Sequence, residues 1–346
     1  MSSGTEQHIT IIGDGAMATV CGLLLEGQGA RVTIWGASAD HVASTIQTRR
    51  SRHLPECRIP DSIRLTADDS EAFTGATLIV SAVPTQYVRQ VWQRLAPQVT
   101  AGVPVVSVAK GIETDTLLRP TQIIADVLRK HGPDDPDGPA RPLAALSGPS
   151  VADELARCLP ATICAASDDH DLNVRIQRTF STHWFRVYTN DDLNGVELAG
   201  ATKNVIALAA GILDGLQAGN NAKSALLSRG LVEITRLGVA MGARAETFSG
   251  LAGVGDLATT CFSPTGRNRT CGEQLGKGRK LEDVLATMRG VVEGVPTTKA
   301  VVRLADRFRV EMPITAAVHA VLFESLDPIE GISRLMSREP KPERAV

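Results

Sequence analysis

The chain has 346 residues, of which 43% are hydrophobic and 21% are charged, a length typical of two domains and a composition typical of a folded protein rather than a disordered one. Its 36 Lys and Arg residues against 38 Asp and Glu residues give a formal charge of −2, so no basic excess indicates a nucleic acid or a membrane surface as partner. The six cysteines form no C-x-x-C pair and the seven histidines no metal-ligand spacing, so we expect neither a disulfide framework nor a metal site.

The chain also lacks the signals of export and membrane insertion. No basic segment followed by an apolar one stands near the first residue, and the longest apolar runs, such as residues 205–213, are shorter than the roughly 20 residues that a membrane span needs. We therefore expect a cytoplasmic protein without stable membrane insertion.

In chain order, the first elements form a βαβ unit. A β-branched run at residues 8–12 leads into Gly13-Asp-Gly15, residues 16–26 have helical periodicity, and residues 31–35 are β-branched again. Later candidates are strands at 76–82, 103–108, 143–147 and 161–165, a helix at 119–129 and a loop at 132–142. This alternation predicts a Rossmann-type α/β domain with a parallel sheet and helices on both faces.

The pattern becomes purely helical near residue 194. The helix candidates are residues 194–213, 222–241, 281–288, 296–308 and 313–324. We therefore expect an α/β domain at 1–190 followed by an all-α C-terminal domain at 191–346.

The turn after the first strand approximates the dinucleotide fingerprint G-x-G-x-x-G/A. In this reading Gly13 permits the tight turn, Gly15 lets a pyrophosphate approach the backbone, and Ala18 allows the helix to pack closely on the strand. The start of the helix supplies amide donors to the phosphates. The first domain is therefore predicted to bind a nicotinamide dinucleotide, NAD(P)H.

The second strand bears on which nicotinamide cofactor is used. NAD sites usually carry an acid at its end, to bind the ribose 2′-hydroxyl, but here no acid appears before Asp40, and Arg49, Arg50 and Arg52 follow. Arginine pairs well with a 2′-phosphate. The sequence therefore favours NADPH or dual use, with Arg50 as the cofactor contact; the alternative is that these arginines form a solvated helix end.

Lys203 lies in a stretch of small and apolar residues at 196–211. A lysine in such surroundings is expected to be buried with a lowered pKa, which suits a general acid/base in a carbonyl–alcohol interconversion. Gly200 and Gly211 are expected to leave space for a ligand beside this helix face. The alternative is a surface lysine on an amphipathic helix.

Two further glycine-rich strings carry polar residues. Asp256 follows Gly253-Val-Gly255 and is predicted to orient a hydroxyl group or to pair with Lys203. Arg267 and the amides around Asn268 would form a phosphate site if they open a helix, and an exposed turn otherwise.

Other polar strings end strands at the carboxyl edge of the predicted sheet, where open α/β folds bind ligands. They are Lys110-Gly-Ile and Ser147-Gly148-Pro-Ser150. We expect the glycines of all these strings to mark points where the backbone approaches a cofactor or a small phosphate.

Together these strings resemble bacterial-type NAD(P)-dependent glycerol-3-phosphate dehydrogenases. The similarity includes Lys110-Gly-Ile-Glu, residues 195–205, residues 250–257, Val292-Glu293-Gly294 and Met312-Pro-Ile314, and it runs in order over about residues 8–343. The resemblance implies reversible reduction of dihydroxyacetone phosphate to sn-glycerol 3-phosphate for glycerophospholipid synthesis, with Lys203 as the catalytic acid/base.

The resemblance also implies the remaining site residues. Those of the substrate site are Lys110, Gly148, Ser150, Lys203, Asp256, Gly266, Arg267 and Asn268. For the cofactor the resemblance adds Ala152, Val291 and Glu293. Together with the glycine turn and Arg50 argued above, the predicted cofactor contacts are Gly13, Gly15, Ala16, Met17, Arg50, Lys110, Ala152, Arg267, Val291 and Glu293. Asn204 and Thr260 match positions near the reacting end of the substrate.

The chain departs from the family pattern at three places. Ala16 and Met17 replace a serine and a tryptophan in the cofactor turn, His53-Leu-Pro-Glu56 stands for Tyr-Leu-Pro-Gly, and Gly266 replaces a serine before Arg267. These changes bear on the affinity for the cofactor and for the phosphate. They leave Lys203 in place.

Two alternatives remain open at this point. A related lysine-dependent dehydrogenase of a β-hydroxy acid or of ketopantoate would share the fold, but Arg267-Asn268 favours a phosphorylated ketone. A non-catalytic nicotinamide sensor would keep the fold but not the chemistry; the altered cofactor turn is its only support, and Lys203, Asp256 and Arg267 argue against it. The expected partner is a small phosphorylated ketone or alcohol, and a homodimer is the candidate assembly.

Overall fold

The structure is a computed structural model that describes residues 7–135, 137–340 and 342–343. These residues form two compact units: the first contains the described residues up to Ala109 together with Pro120–Leu193, and the second contains Lys110–Arg119 together with the described residues from Asn194 onward.

The division differs from the predicted boundary between residues 190 and 191. It falls between Leu193 and Asn194, and Lys110–Arg119 lies in the second unit although the sequence assigned it to the first domain. The reason is tertiary, because the ion pairs at both ends of this segment, to Asp256 and to Glu197, are made with the helical unit.

The first unit is built on one eight-stranded sheet. Its strands are β1 (His8–Ile12), β2 (Arg31–Trp35), β5 (Arg64–Thr66), β6 (Leu78–Ser81), β7 (Val105–Ser107), β8 (Leu143–Ser147), β9 (Ala161–Ala166) and β10 (Phe185–Asn190). They lie in the order β10-β9-β8-β7-β6-β1-β2-β5. A separate antiparallel hairpin consists of β3 (Arg50–Ser51) and β4 (Leu54–Arg58).

Helices connect these strands. They are α1 (Ala16–Gly27), α2 (Ala39–Thr48), α3 (Asp69–Phe73), α4 (Thr85–Leu95), α5 (Pro120–His131), α6 (Ala152–Leu155) and α7 (His170–Phe180). Every residue of β1 is buried, as expected for a central strand of a parallel sheet that is covered on both faces. The predicted α/β fold of this unit is confirmed.

One strand pair departs from the predicted parallel sheet. β8 and β9 run antiparallel, with Ser147 opposite Cys164. The segment between them contains only the four-residue helix α6 rather than a full crossover helix, and parallel neighbours need such a crossover. The longer α7 between β9 and β10 allows that pair to be parallel again.

The second unit is helical, and its described part contains no strand. Its helices are α8 (Leu193–Gly215), α9 (Gly219–Ala240), α10 (Ala245–Phe248), α11 (Asp256–Phe262), α12 (Arg267–Gly276), α13 (Leu281–Thr287), α14 (Gly294–Phe308), α15 (Pro313–Phe323) and α16 (Pro328–Met336). A π-helical turn, Leu251–Gly255, precedes α11. The predicted all-α domain is confirmed.

α8 is the central helix of the second unit. Among the described helices it alone is long and apolar enough to cross a membrane by length and composition, with a mean hydropathy of 1.4, and that apolar stretch is entirely buried inside the protein. Burial in a helical core accounts for such a sequence without a membrane.

α8 and α12 pack backbone against backbone through glycines. A Cβ atom added to Gly211 on α8 would lie 1.9 Å from the Arg269 carbonyl oxygen, and one added to Gly272 on α12 would lie 2.0 Å from the Leu208 oxygen. The space beside Gly211 is therefore filled by α12, and the expectation that it holds a ligand is wrong. The contact fixes α12 against the helix that carries Lys203.

Candidate active site

The polar centre of the second unit is a carboxylate shared by two lysines. Asp256, at the start of α11, places Oδ1 3.0 Å from Lys203 Nζ and Oδ2 2.7 Å from Lys110 Nζ. Lys203 and Asp256 are only 5% and 2% exposed. Three charges of net +1 are thus held together in a nearly water-free site, where electrostatic interactions are strong.

The surroundings of Lys203 suit proton transfer. Burial lowers the pKa of its ammonium group, the charge of Lys110 lowers that pKa further, and Asp256 acts in the opposite direction. Thr260, one turn along α11 from Asp256, accepts a hydrogen bond from Lys203 Nζ and donates one to Asp256 Oδ1 at 3.3 Å. Since an ammonium has three N–H donors, these two partners leave one for a further acceptor.

A chain of amide hydrogen bonds positions Lys110. Asn204, next to Lys203 on α8, donates through Nδ2 to the Lys110 carbonyl oxygen at 2.9 Å. Asn268 donates to Asn204 Oδ1 at 2.9 Å and accepts the Gly294 N–H at 2.8 Å. The side chain of Asn268 therefore joins α12 to α8 and α14, and what it offers a bound anion is its backbone amide.

The start of α12 forms the arrangement that a phosphate site needs. The helix begins at Arg267 after Gly266, and the Thr270 N–H is the first to donate within it, at 2.8 Å to the Gly266 oxygen. The amides of the three residues before Thr270 therefore lack intrahelical acceptors. The Arg267 guanidinium donates to the Val291 oxygen at 2.9 Å, which brings these two predicted cofactor contacts together.

In the first unit, the turn between β1 and α1 fits a dinucleotide. Gly13 has φ +115° and approaches the Ala82 oxygen so closely that a Cβ atom would lie 2.8 Å from it. A Cβ atom on Gly15 would meet nothing within 4 Å, so the backbone borders open space at the N-terminus of α1. Ala16 and Met17 occupy the first turn of that helix. These residues fit a pyrophosphate at a helix start.

The backbone conformation and the packing at position 148 both require a glycine. Its φ is +139°, and a Cβ atom there would lie 3.0 Å from Ile163 Cα on β9. Ser150 Oγ donates back to the Gly148 oxygen at 3.0 Å, and Ala152 begins α6 two residues later. The turn that carries these three predicted contacts is thus fixed by local packing.

Several glycines approach protein rather than ligand. A Cβ atom on Gly253 would lie 1.9 Å from the Phe248 oxygen, and one on Gly294, which follows Glu293 at the start of α14, would lie 2.7 Å from the Asn204 oxygen. The expectation that the glycine-rich strings all face a cofactor or a phosphate is therefore wrong for Gly253. There the glycine permits the tight packing of the turn before α11.

Arg50 and Arg52 lie on the β3–β4 hairpin, whereas Arg49 is the residue that ends α2, as the helix-end alternative expects. Arg49 pairs with Asp61 at 3.1 Å, and Arg50 donates to the Pro55 oxygen at 2.6 Å. Arg52 donates to two imidazole nitrogens, those of His41 and His53, at 2.9 and 3.0 Å. Arg50 and Arg52 are exposed.

Two other features bear on the chemistry available. Among the described residues, no group of three or more His, Cys, Asp and Glu side chains is placed to hold a metal ion. The six cysteines are free thiols, and burial raises the pKa of Cys261, on the helix after Asp256, to about 12. Cys261 therefore stays a protonated thiol beside this cluster at neutral pH.

The sequence did not single out Glu233 on α9. Its carboxylate accepts the N–H groups of Ile314 and Thr315 at 2.7 and 3.2 Å and so caps α15. The available signal was the one that identified Lys203, a charged residue among apolar neighbours, here in Leu-Val-Glu-Ile.

Comparison with known proteins gives matches over nearly the whole chain. Models described as the N-terminus and the C-terminus of NAD-dependent glycerol-3-phosphate dehydrogenase match residues 8–173 and 192–333. Glycerol-3-phosphate dehydrogenase (NAD(P)+) of Prosthecochloris aestuarii is 45% identical over 97% of this chain and 99% of its own. The enzyme of the same name from Geobacter sulfurreducens is 46% identical over 98% and 99%.

A solved structure agrees with these matches. The crystal structure of glycerol-3-phosphate dehydrogenase from Coxiella burnetii superimposes with a TM-score of 0.90 at 35% identity, covering 96% of this chain and 99% of that one.

Proposed function

Because the chain belongs to the NAD-dependent glycerol-3-phosphate dehydrogenase family, we propose that it catalyses the NAD(P)H-dependent, reversible reduction of dihydroxyacetone phosphate to sn-glycerol 3-phosphate. The product supplies glycerophospholipid synthesis. The observation that carries the mechanism is the buried cluster in which Asp256 pairs with Lys203 and Lys110.

Lys203 is the general acid/base of this proposal. In the reductive direction its ammonium donates a proton to the ketone oxygen as negative charge develops there, and in the oxidative direction its amine takes the hydroxyl proton. Asp256 and Thr260 each hold Nζ by a polar contact and fix its direction. Lys110 keeps positive charge near the oxygen after Lys203 has given up its proton.

The phosphate end of the substrate is assigned to the start of α12. Arg267 and the backbone amide of Asn268 hold the dianion, since a helix N-terminus and a guanidinium both favour phosphate, whereas the Gly266 amide already donates to the Ser263 oxygen at 3.3 Å. The resemblance also assigns Gly148 and Ser150 to substrate binding. Binding energy from this non-reacting end fixes the geometry at the carbonyl carbon.

When bound, the nicotinamide cofactor supplies the hydride that reduces the ketone carbon. Ten residues are assigned to hold it, and four of them lie in or just after the turn between β1 and α1. The ten are Gly13, Gly15, Ala16, Met17, Arg50, Lys110, Ala152, Arg267, Val291 and Glu293. We place the enzyme in the cytoplasm, with a homodimer as the candidate assembly.

The test is oxidation of NADH and NADPH with dihydroxyacetone phosphate, compared with ketopantoate and tartronate semialdehyde. Lys203→Ala is expected to lower kcat about a hundredfold or more, because general acid catalysis contributes about 10²–10⁴ in rate, while nicotinamide cofactor still binds. Lys277→Ala, at the exposed residue that follows α12, is the control and keeps wild-type turnover.

Near-normal turnover by Lys203→Ala would show that Lys203 is not the general acid/base. Preference for one of the two non-phosphorylated substrates would replace the substrate assignment. Tight cofactor binding without turnover of any substrate would favour the sensor instead.

A further inference from the structure

Asp14, between the two glycines of the cofactor turn, has a half-buried side chain that lies at the end of β2. A Cβ atom added to Gly36, the first residue after β2, would lie 3.0 Å from Asp14 Oδ2 and 3.2 Å from Asp14 Cβ. The Asp14 side chain therefore occupies the space that the side chain of any larger residue at position 36 would enter.

That position has a defined role in dinucleotide-binding folds. An acid at the end of the second strand accepts hydrogen bonds from the adenosine ribose hydroxyls when the cofactor is NADH. Here Gly36 offers no side chain, and one could not be added without moving Val42, whose Cγ2 would lie 2.7 Å from the new Cβ atom. Asp14 thus brings to the end of β2 the carboxylate that β2 itself lacks.

Within the part of the chain that the structure describes, the Asp14 carboxylate has no hydrogen-bond or ion-pair partner. Only its backbone is engaged, through the carbonyl oxygen that accepts from Ser51 Oγ at 3.4 Å. A half-buried carboxylate without a partner in the cofactor turn has its acceptor capacity available to a ligand.

The competing feature is the group of arginines on the hairpin. Arg52 is exposed, and its guanidinium already donates to His41 and His53. Arg50 donates to the Pro55 oxygen. A 2′-phosphate drawn towards these cations would also come close to Asp14, and two like charges in a partly buried site repel each other.

We propose that Asp14 recognises the ribose hydroxyls of the adenosine half of the cofactor and makes this enzyme select NADH over NADPH. The inference rests on the cofactor of the proposed function and deepens it, and it reverses the preference for NADPH that the arginines suggest in the sequence. The turn between the glycines then both holds the pyrophosphate and selects the cofactor.

The experiment measures the dissociation constants of NADH and NADPH by isothermal titration calorimetry without any ketone, so its outcome does not depend on turnover. Wild-type protein is expected to bind NADH more tightly than NADPH. Asp14→Asn, which removes the charge at constant shape, is expected to lower the ratio of the NADPH to the NADH constant about tenfold or more, since hydrogen bonds to charged groups are worth about tenfold to a hundredfold in affinity. Asp14→Ser is expected to act in the same direction.

Two controls sharpen the result. Asp40→Asn removes an exposed acid on α2, the first acid after β2, and is expected to leave the ratio within about twofold of wild type. Arg52→Gln is expected to leave the affinity for NADH unchanged. An unchanged ratio in Asp14→Asn, or a wild-type preference for NADPH that Arg52→Gln abolishes, would overturn the proposal and assign cofactor selection to the arginines. Absence of dihydroxyacetone phosphate reduction alongside a shifted ratio would reject the proposed reaction and keep the role of Asp14.

Discussion

The buried cap of α15 makes the stability of the second unit depend on pH in a predictable direction. Glu233 is 3% exposed, and its carboxylate accepts the Ile314 and Thr315 N–H groups and the Thr315 hydroxyl. Met312, the residue before α15, provides no side-chain cap. Burial raises the pKa of Glu233 from 4.5 to about 7, against the opposing influence of these hydrogen bonds.

The direction of this pH dependence follows from the pKa of Glu233 in the folded and in the unfolded protein. Because the pKa is higher in the folded protein, the folded state keeps a proton on Glu233 that the unfolded chain releases between pH 4.5 and about pH 7. The stabilisation is complete below the unfolded pKa and is lost as the pH rises through the folded one. The difference between the two values, at about 1.4 kcal/mol per pKa unit, amounts to about 3 kcal/mol.

Glu233→Gln removes this titration. Urea unfolding of both proteins, followed by circular dichroism between about pH 5 and pH 8, is expected to show wild type losing about 2–3 kcal/mol relative to the variant as the pH rises. Glu246→Gln, at an exposed position of α10, controls for the loss of one carboxyl group. A difference that stays constant with pH, or a wild type that gains relative stability at high pH, would refute the reasoning.

Two further predictions concern the active-site scaffold. Gly211→Ala is expected to destabilise the protein by about 3 kcal/mol or more in thermal unfolding, because its Cβ atom would lie 1.9 Å from the Arg269 oxygen. The control Gly27→Ala, whose Cβ atom would have nothing within 4 Å, should change the stability by no more than about 1 kcal/mol. Equal melting temperatures of the two variants would contradict the backbone contact. Asp256→Asn removes the group that opposes the lowering of the Lys203 pKa, so in the rate profile of ketone reduction the limb that requires the protonated lysine should move to lower pH, unlike in the exposed control Asp283→Asn. If this limb of the pH–rate profile stays in place or moves to higher pH in Asp256→Asn, Asp256 does not raise the pKa of Lys203.

The local parts of the fold could be predicted from the sequence. The β-branched runs before and after the glycine turn predict β1 and β2, and the change to helical periodicity near residue 194 predicts the second unit. The antiparallel β8–β9 pair and the membership of Lys110–Arg119 in the helical unit could not be predicted in this way. Both are decided by contacts between distant segments, which leave no local periodicity.

The side chains of the candidate site could likewise be predicted only where the local sequence carries a signal. Lys203 stands out because a charge interrupts an apolar helix, and its burial and lowered pKa follow the prediction. Asp14 has no such signal, because only the structure reveals that its carboxylate reaches the end of β2. Glycines are equally ambiguous: Gly15 faces open space while Gly211 faces the backbone of α12, and both are simply glycine in the sequence.

The sharing of one carboxylate by two lysines explains how a buried ion pair remains able to release a proton. If Asp256 paired with Lys203 alone, deprotonating the lysine would leave an isolated buried carboxylate, which is costly, and the pair would hold the proton. Lys110 sits 2.7 Å from the other oxygen of Asp256 and still neutralises it after Lys203 has given up its proton. Its charge also lowers the pKa of Lys203 directly. The third charge therefore turns a static ion pair into a proton donor whose deprotonated state is itself a balanced pair.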